Sequence, residues 1–304
     1  MAGEALYDVI FGAATLRQCT NVRVEERPNV VRDRISGNYA TSQVSVIDSQ
    51  PMVSLTTQDI KTSLANLTLA GGLSVAAGTI TIPFQQRSAG GLFAGGSNNN
   101  TVAATHGVAV ITELSGRQGD AGGVTANVEI HLLSSDGTTH PYTINTNQSL
   151  AASAFTGSYS MGPVTLDPTG VGVLAEVDRI TAWTVSPSNN VTRYLYGADD
   201  FPTELDVTEV NPTASFTFAD LDTAQSFATT IEDFAAINLW AKARAANGRH
   251  TANASAAHIK IAFADGVKIL EVIEGSDRGR VTGTVRIEAA TVPTITTDTA
   301  IVLA

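Results

Sequence analysis

An internal repeat is the feature that most restricts how this chain of 304 residues can fold. Residues 20–64 match residues 181–225 without a gap and with 11 identities. Residues 79–132 match residues 236–289 with another 11, and both matches run in the same order. Self-similarity of this kind indicates one structural unit that is present twice in the chain.

The repeat divides the chain into two copies. We predict a first domain at residues 1–147 and a second at residues 166–304, related by tandem duplication. Residues 148–165 are rich in Ser, Ala and Gly and show no periodicity, which is typical of a linker.

Alternation of polar and apolar residues dominates both copies. In "TSQVSVID" Val44 and Val46 alternate with Gln43 and Ser45, and "PTELDVTE" repeats the pattern. A period of two is typical of half-buried antiparallel strands. Further predicted strands, in matching pairs, are "SLTT" and "SFTF", "TITIPF" and "INLWAK", "VTANVEI" and "VTGTVRI", and the closing "YTIN" (residues 142–145) and "AIVL" (residues 300–303).

The sequence of each copy also predicts one short helix. "QDIKTSLANLTLAGG" has Asp59 in position to cap a helix, apolar residues at helical spacing, and two glycines that would end it. Asp220 takes the corresponding position in the second copy. A long segment rich in Gly, Asn and Ser follows in each copy: "SAGGLFAGGSNNNTVAAT" and "AANGRHTANASAA". The predicted fold class is therefore mainly β, with two tandem β-sandwich or barrel domains, each carrying one helix and one long hairpin loop.

This layout resembles phage tail tube proteins, in the form in which two tube domains are fused in one chain. The resemblance lies in the strands, the helix after "SLTTQD" and "SFTFAD", the long hairpin loop and the duplication. It implies a structural virion protein: six tube domains form a ring, and their sheets join into one barrel around a lumen. A chain with two domains would build this ring as a homotrimer with pseudo-six-fold symmetry.

The resemblance also implies partners and a location. Rings would stack into the tail tube that conducts genomic DNA, with other tail proteins at the tube ends. Assembly would take place in the host cytoplasm, and the product would lie in the virion tail. A net charge of −11 fits this expectation, because an acidic lumen repels phosphate and does not bind DNA specifically.

Two groups of candidate functional residues follow. The polar faces of the matched strands are candidates for the lumen, although a solvated strand face explains them equally well: Gln43, Ser45, Glu204 and Asp206. The long loops are candidates for contacts between stacked rings, the alternative being free surface loops: Gly90, Gly91, Gly95, Gly96, Asn98, Asn99, Asn100, Asn247, Gly248 and Asn253.

The sequence favours no enzyme, metal site or cofactor. The five histidines lack metal-ligand spacing, and neither a GxSxG elbow nor a phosphate-binding loop is present. Cys19 is the single cysteine, which excludes an internal disulfide. We also expect no membrane insertion, because no run approaches about 18 apolar residues.

Three other functions remain open from the sequence. A baseplate hub or distal tail protein also uses paired tube-like domains, although it usually adds further modules. A tandem β-sandwich adhesin or carbohydrate-binding module would need exposed aromatic residues, yet aromatic residues make up only 6% of the chain. A capsid decoration protein is the third alternative.

Overall fold

The structure is a computed structural model. It describes residues 7–33, 43–75, 80–85, 99–119, 123–150, 157–167, 175–177, 179–219, 233–234, 236–245, 247–275 and 281–303. Antiparallel strands dominate the described residues, which also contain one short helix, so the mainly-β prediction is confirmed. The second helix that the sequence predicts at Asp220 lies outside the described residues.

The described residues of the first half form eleven strands and the helix. They are β1 (Tyr7–Phe11), β2 (Ala14–Glu25), β3 (Pro28–Asp33), β4 (Gln43–Ser49), β5 (Met52–Thr57), α1 (Ile60–Asn66), β6 (Leu73–Val75), β7 (Ile80–Phe84), β8 (Asn99–Ala104), β9 (Gly107–Arg117), β10 (Thr125–Leu132) and β11 (Tyr142–Gln148).

The second half forms twelve strands among its described residues. They are β12 (Ser158–Asp167), β13 (Ala175–Glu176), β14 (Ile180–Ser186), β15 (Asn189–Tyr194), β16 (Glu204–Val210), β17 (Thr213–Phe218), β18 (Asp233–Phe234), β19 (Ala236–Arg244), β20 (His258–Phe263), β21 (Gly266–Gly275), β22 (Val281–Glu288) and β23 (Thr294–Thr299).

Most strands belong to one large sheet that crosses from the first half into the second. Its order is β11-β8-β7-β1-β2-β5-β10-β9-β14-β17-β22-β21-β18, and β6 pairs separately with β9. A five-stranded sheet has the order β13-β12-β19-β20-β23, and β3–β4 and β15–β16 are separate hairpins. One core cluster contains buried side chains from both halves, among them Val9, Ile111, Trp183 and Ile261. The halves therefore do not have separate cores.

The two halves pair their strands in the same order. In the first half the run is β2-β5-β10-β9, and in the second it is β14-β17-β22-β21. Registers agree as well: Val24 pairs with Val53, and Val185, 161 residues after Val24, pairs with Ala214. β5 and β17 also share one burial pattern, in which alternate side chains enter the core.

The hairpins β3–β4 and β15–β16 have matching registers throughout. Val30 pairs with Val46 in the first, and Val191 pairs with Val207 in the second. Each hairpin also has one irregularity in register, directly before Val30 and directly before Val191. Both hairpins therefore have the same backbone pairing, although their surroundings differ.

Several boundaries differ from the sequence expectations. β12 lies largely within the expected linker at residues 148–165 and pairs with β19. Gly162 interrupts the alternation of polar and apolar residues in β12. A side chain does not fit there, because a Cβ would lie 2.7 Å from the backbone oxygen of Trp240. The segment "AIVL", expected to be a strand, does not form one: β23 ends at Thr299, and residues 300–303 have no regular secondary structure. α1 ends at Asn66, five residues before Gly71.

Candidate assembly surfaces

A strand pairing joins the two halves of the chain. β9 and β14 run antiparallel, with Leu114 opposite Val185 and Gly116 opposite Trp183. Trp183 is 1% exposed, and a Cβ on Gly116 would lie 3.0 Å from its ring, so the glycine leaves space for the indole. The joint continues in a backbone hydrogen bond of 2.8 Å from Gln118 to Thr181.

The second hairpin packs on the first half beside this joint. Val191, Leu205 and Val207 of β15–β16 contact an apolar patch on the first half: Val108, Val110 and Leu133. We call this contact the internal hairpin contact. It buries Val108, Val110 and Leu133 and leaves the three hairpin side chains half-buried.

A guanidinium group lies at the edge of the internal hairpin contact. Arg193 donates from Nη1 to Gln50 Oε1 at 2.6 Å and from Nη2 to His131 Nδ1 at 2.7 Å. Burial, helped by the positive charges of Arg193 and Arg27, lowers the pKa of His131 to about 3. His131 is therefore neutral, and its Nδ1 accepts a hydrogen bond from the guanidinium.

The first hairpin exposes the apolar face that the second one buries. Val44 and Val46 are 61% and 63% exposed, although they take the register positions of Leu205 and Val207. Alternation had predicted that these valines face a core. In the described part of the chain they do not, because β3–β4 has no counterpart of the Val108 patch to pack on.

The second half carries an exposed counterpart of that patch. Val267 pairs with Glu288 as Val108 pairs with His131, and it is 46% exposed. Ile269 lies at the register irregularity that follows, and it is 47% exposed. Apolar side chains at matching positions are thus buried between the halves and exposed at the two ends of the repeat.

At the same ends, two strand edges have no partner among the described residues. β2 pairs with β1 up to Cys19 and with β5 on its other side, and no described strand pairs with residues 21–24 on the β1 side. β21 pairs on its outer side with β18 at Gly266 and Val267, while residues 273–275 have no described partner there. Open edges of this kind can accept another strand.

The four lumen candidates lie at matching positions on the two hairpins. Gln43 and Glu204 take one register position, and Ser45 and Asp206 take another. Gln43, Glu204 and Asp206 are exposed, and Ser45 is half-buried. Gln43 donates to Ser45 Oγ at 3.2 Å.

The loop candidates are only partly described. Gly90, Gly91, Gly95, Gly96 and Asn98 lie outside the described residues. Asn99 and Asn100 begin β8, where Asn99 is buried, instead of belonging to the loop. In the second half, Asn247 and Gly248 form an exposed turn, and the Asn253 carbonyl accepts from the Ile301 amide at 2.8 Å.

One cavity of about 350 Å³ lies near the expected linker. Its lining includes Arg179, Lys242 and His250, and His250 Nδ1 lies 3.0 Å from Ser160 Oγ. Burial, together with Arg244 and Lys242, lowers the pKa of His250. Within the described ranges, no three His, Cys, Asp or Glu side chains are grouped to hold a metal ion.

A scan against protein-family models found no match, and a search of curated proteins also found none. No helix in the described part of the chain has the length and apolar character needed to cross a membrane. The surfaces at the two ends of the repeat are therefore the main guide to function.

Proposed function

We propose that this chain is a structural virion protein that forms homotrimeric, pseudo-hexameric rings, and that stacked rings build a phage tail tube. The observation that carries the proposal is the β9–β14 joint. It makes one continuous sheet from two halves whose strands pair in the same order. We infer that the halves are a tandem duplication, because one chain then supplies two successive segments of a repeating sheet.

The ends of the molecule support self-assembly. A repeating unit joined inside the chain leaves one unmatched surface at each end. Both surfaces expose apolar side chains, and both have a strand edge without a partner among the described residues. Surfaces that differ at the two ends associate head to tail, and they form a closed ring when the rotation between successive units closes. Closure would also remove the open edges.

The charge of the chain fits a conduit for DNA. With 29 acidic against 18 basic residues, the chain is unsuited to hold nucleic acid, because affinity for phosphates requires clustered Lys and Arg. Glu204 and Asp206 on the exposed face of β16 are our candidates for an acidic lumen wall.

The first experiment is negative-stain electron microscopy of the purified chain over a range of concentrations, with native mass spectrometry of the smallest species. We expect hollow rings that contain three chains each, and stacks of rings at higher concentration. A chain that stays monomeric at every concentration would contradict the proposal and would direct attention to a binding module, for which a glycan screen is the next test.

The long loop of the first half provides a second test. Replacing residues 90–98 with a short Gly-Ser segment should leave single rings intact and prevent stacking, because the proposal assigns this loop to contacts between rings. The matched variant in the second half replaces residues 247–249, which contain the exposed turn at Asn247 and Gly248. Stacks of normal length from both variants would exclude the loops as the stacking contact.

A further inference from the structure

We propose that a second copy of this chain docks head to tail on the first, with its β3–β4 hairpin and its β2 edge on the β21 end of the neighbour. The inference rests on the proposed self-assembly and names the surfaces that meet. Its template is the internal hairpin contact together with the β9–β14 joint, in which this chain already makes the same type of contact with itself.

The template can be transferred residue by residue because the registers match. Val30, Val44 and Val46 take the positions of Val191, Leu205 and Val207. On the receiving side, Val267 takes the position of Val108, and Ile269 lies two residues further along β21. Superposing one half on the other therefore places the exposed valines of β4 over exposed apolar side chains on the neighbour.

Exposure supports the same assignment. Val44 and Val46 are 61% and 63% exposed, and Val267 and Ile269 are 46% and 47% exposed. Val108, the register counterpart of Val267, is 5% exposed within the internal hairpin contact, and Val110 beside it is 1% exposed. Docking would bury both exposed groups at once, and the burial of apolar surface drives association.

Charge complementarity identifies the occupant as another copy of this chain. Arg32 takes the position of Arg193, which contacts His131 and Gln50. The counterpart of His131 in the second half is Glu288, which pairs with Val267 as His131 pairs with Val108. Arg32 and Glu288 are both exposed. Docking therefore brings a guanidinium to a carboxylate where the internal hairpin contact has a guanidinium and a neutral imidazole.

The strand edges are complementary in the same register. In the β9–β14 joint, Leu114, Ser115 and Gly116 lie opposite Val185, Thr184 and Trp183. The corresponding residues of the neighbour and the incoming copy are Ile273 with Val24, Glu274 with Arg23, and Gly275 with Val22. The first pair is apolar, the second joins opposite charges, and the third places a glycine beside a larger side chain.

The open state of these edges agrees with the assignment. Among the described residues, a Cβ on Gly275 would meet no atom within 4 Å beyond its chain neighbours, whereas a Cβ on Gly116 would meet the Trp183 ring. The side chain of Arg23 is 72% exposed and forms an ion pair with Glu25 of the same strand, with Nε and Oε1 2.6 Å apart. The two ends differ from each other, so two copies cannot satisfy both surfaces through a two-fold axis.

Cross-linking of mixed single-cysteine variants tests the contact directly. Val46→Cys and Ile269→Cys are prepared separately and then mixed, and a short bismaleimide is added; Cys19 is buried and does not react readily. We expect a covalent dimer in the mixture and little in either variant alone. Dimers in the Val46→Cys sample alone would indicate a two-fold contact and would overturn the proposal.

Charge reversal gives a second and independent test. Arg32→Glu and Glu288→Arg should each raise the concentration for half-maximal assembly by about tenfold, because each places like charges together. The double variant Arg32→Glu/Glu288→Arg should bring the concentration for half-maximal assembly back towards that of the unchanged chain. Val302→Asp, at a side chain that is 72% exposed and outside both surfaces, is the control.

The outcomes separate this inference from the proposed function. If rings form but mixed cross-links are absent and charge reversal has no effect, the rings use other surfaces and this inference is wrong. If the unchanged chain never assembles, both are wrong. Mixed cross-links together with rescue by the double variant support the head-to-tail contact.

Discussion

His131 is a buried histidine that stays neutral because a guanidinium donates to it and the interior desolvates it. Its pKa of about 3 lies below the ordinary value of 6.5, so between these pH values His131 is protonated in the unfolded chain and neutral in the folded chain. The free energy of unfolding should therefore fall as the pH drops from about 6.5 towards 3, by at most about 1.4 kcal/mol per pH unit from this residue.

The measurement is urea unfolding at a series of pH values for the unchanged chain and for His131→Gln. Glutamine keeps an acceptor for Arg193 but does not titrate. We expect the variant to lose less stability between pH 6 and pH 4, while carboxylates contribute equally to both proteins. Equal slopes would show that His131 is not neutral in the folded chain.

Gly116 and Gly275 form a matched pair of residues with opposite surroundings. Gly116→Ala should lower the free energy of unfolding by about 1–3 kcal/mol, because its methyl group would press on the buried Trp183 ring. Gly275→Ala should change it by no more than about 0.5 kcal/mol, because the space beside it is open. Thermal unfolding at concentrations where the chain is monomeric measures both variants. Equal losses would contradict this account of the joint.

At the scale of the element, α1 depends on its cap. Asp59 accepts from the Thr62 amide at 3.3 Å and is 3% exposed. Asp59→Ala should destabilise the chain by about 1 kcal/mol, because the amide then lacks its acceptor. Asp59→Asn retains an acceptor and should lose less in the same chemical unfolding assay. If the two variants lose the same free energy, the cap does not determine the stability of this helix.

Alternation and capping predicted most elements of the first half correctly, because strands and a helix that face a core carry their period in the sequence. β12 was missed because Gly162 and Pro163 interrupt its alternation of polar and apolar residues. The close approach of the Trp240 backbone explains the glycine at position 162. "AIVL" was wrongly predicted as a strand: its apolar run begins after β23 has ended at Thr299, and only Ile301 of residues 301–303 is buried.

The assembly surfaces were harder to predict than the fold. The sequence shows that Val44 and Val46 share a face with the period of a strand, but that period does not reveal whether the face meets its own core or another molecule. Val267 and Ile269 carry the same ambiguity on β21. The exposure of these side chains shows that, within the described part of the chain, the face does not meet a core.

At the scale of the whole molecule, the shared core links the stability of the halves. Residues 1–150 alone would expose the β9 edge and the Val108 patch, and residues 151–304 alone would lose the partner of β14. We expect each half expressed alone to aggregate or remain unfolded, and the two halves expressed together to form a soluble complex, as size-exclusion chromatography would show. A first half that is monomeric and folded by itself would contradict this dependence.

The covalent connection across the β9–β14 joint has a mechanical consequence for the proposed ring. Seams inside a chain are tethered, so a broken one re-forms at a high effective concentration, whereas seams between chains depend on free protein. Tethered and untethered seams would alternate around the ring. Dilution or force should therefore open it at the contacts between chains and release intact two-unit pieces instead of single domains.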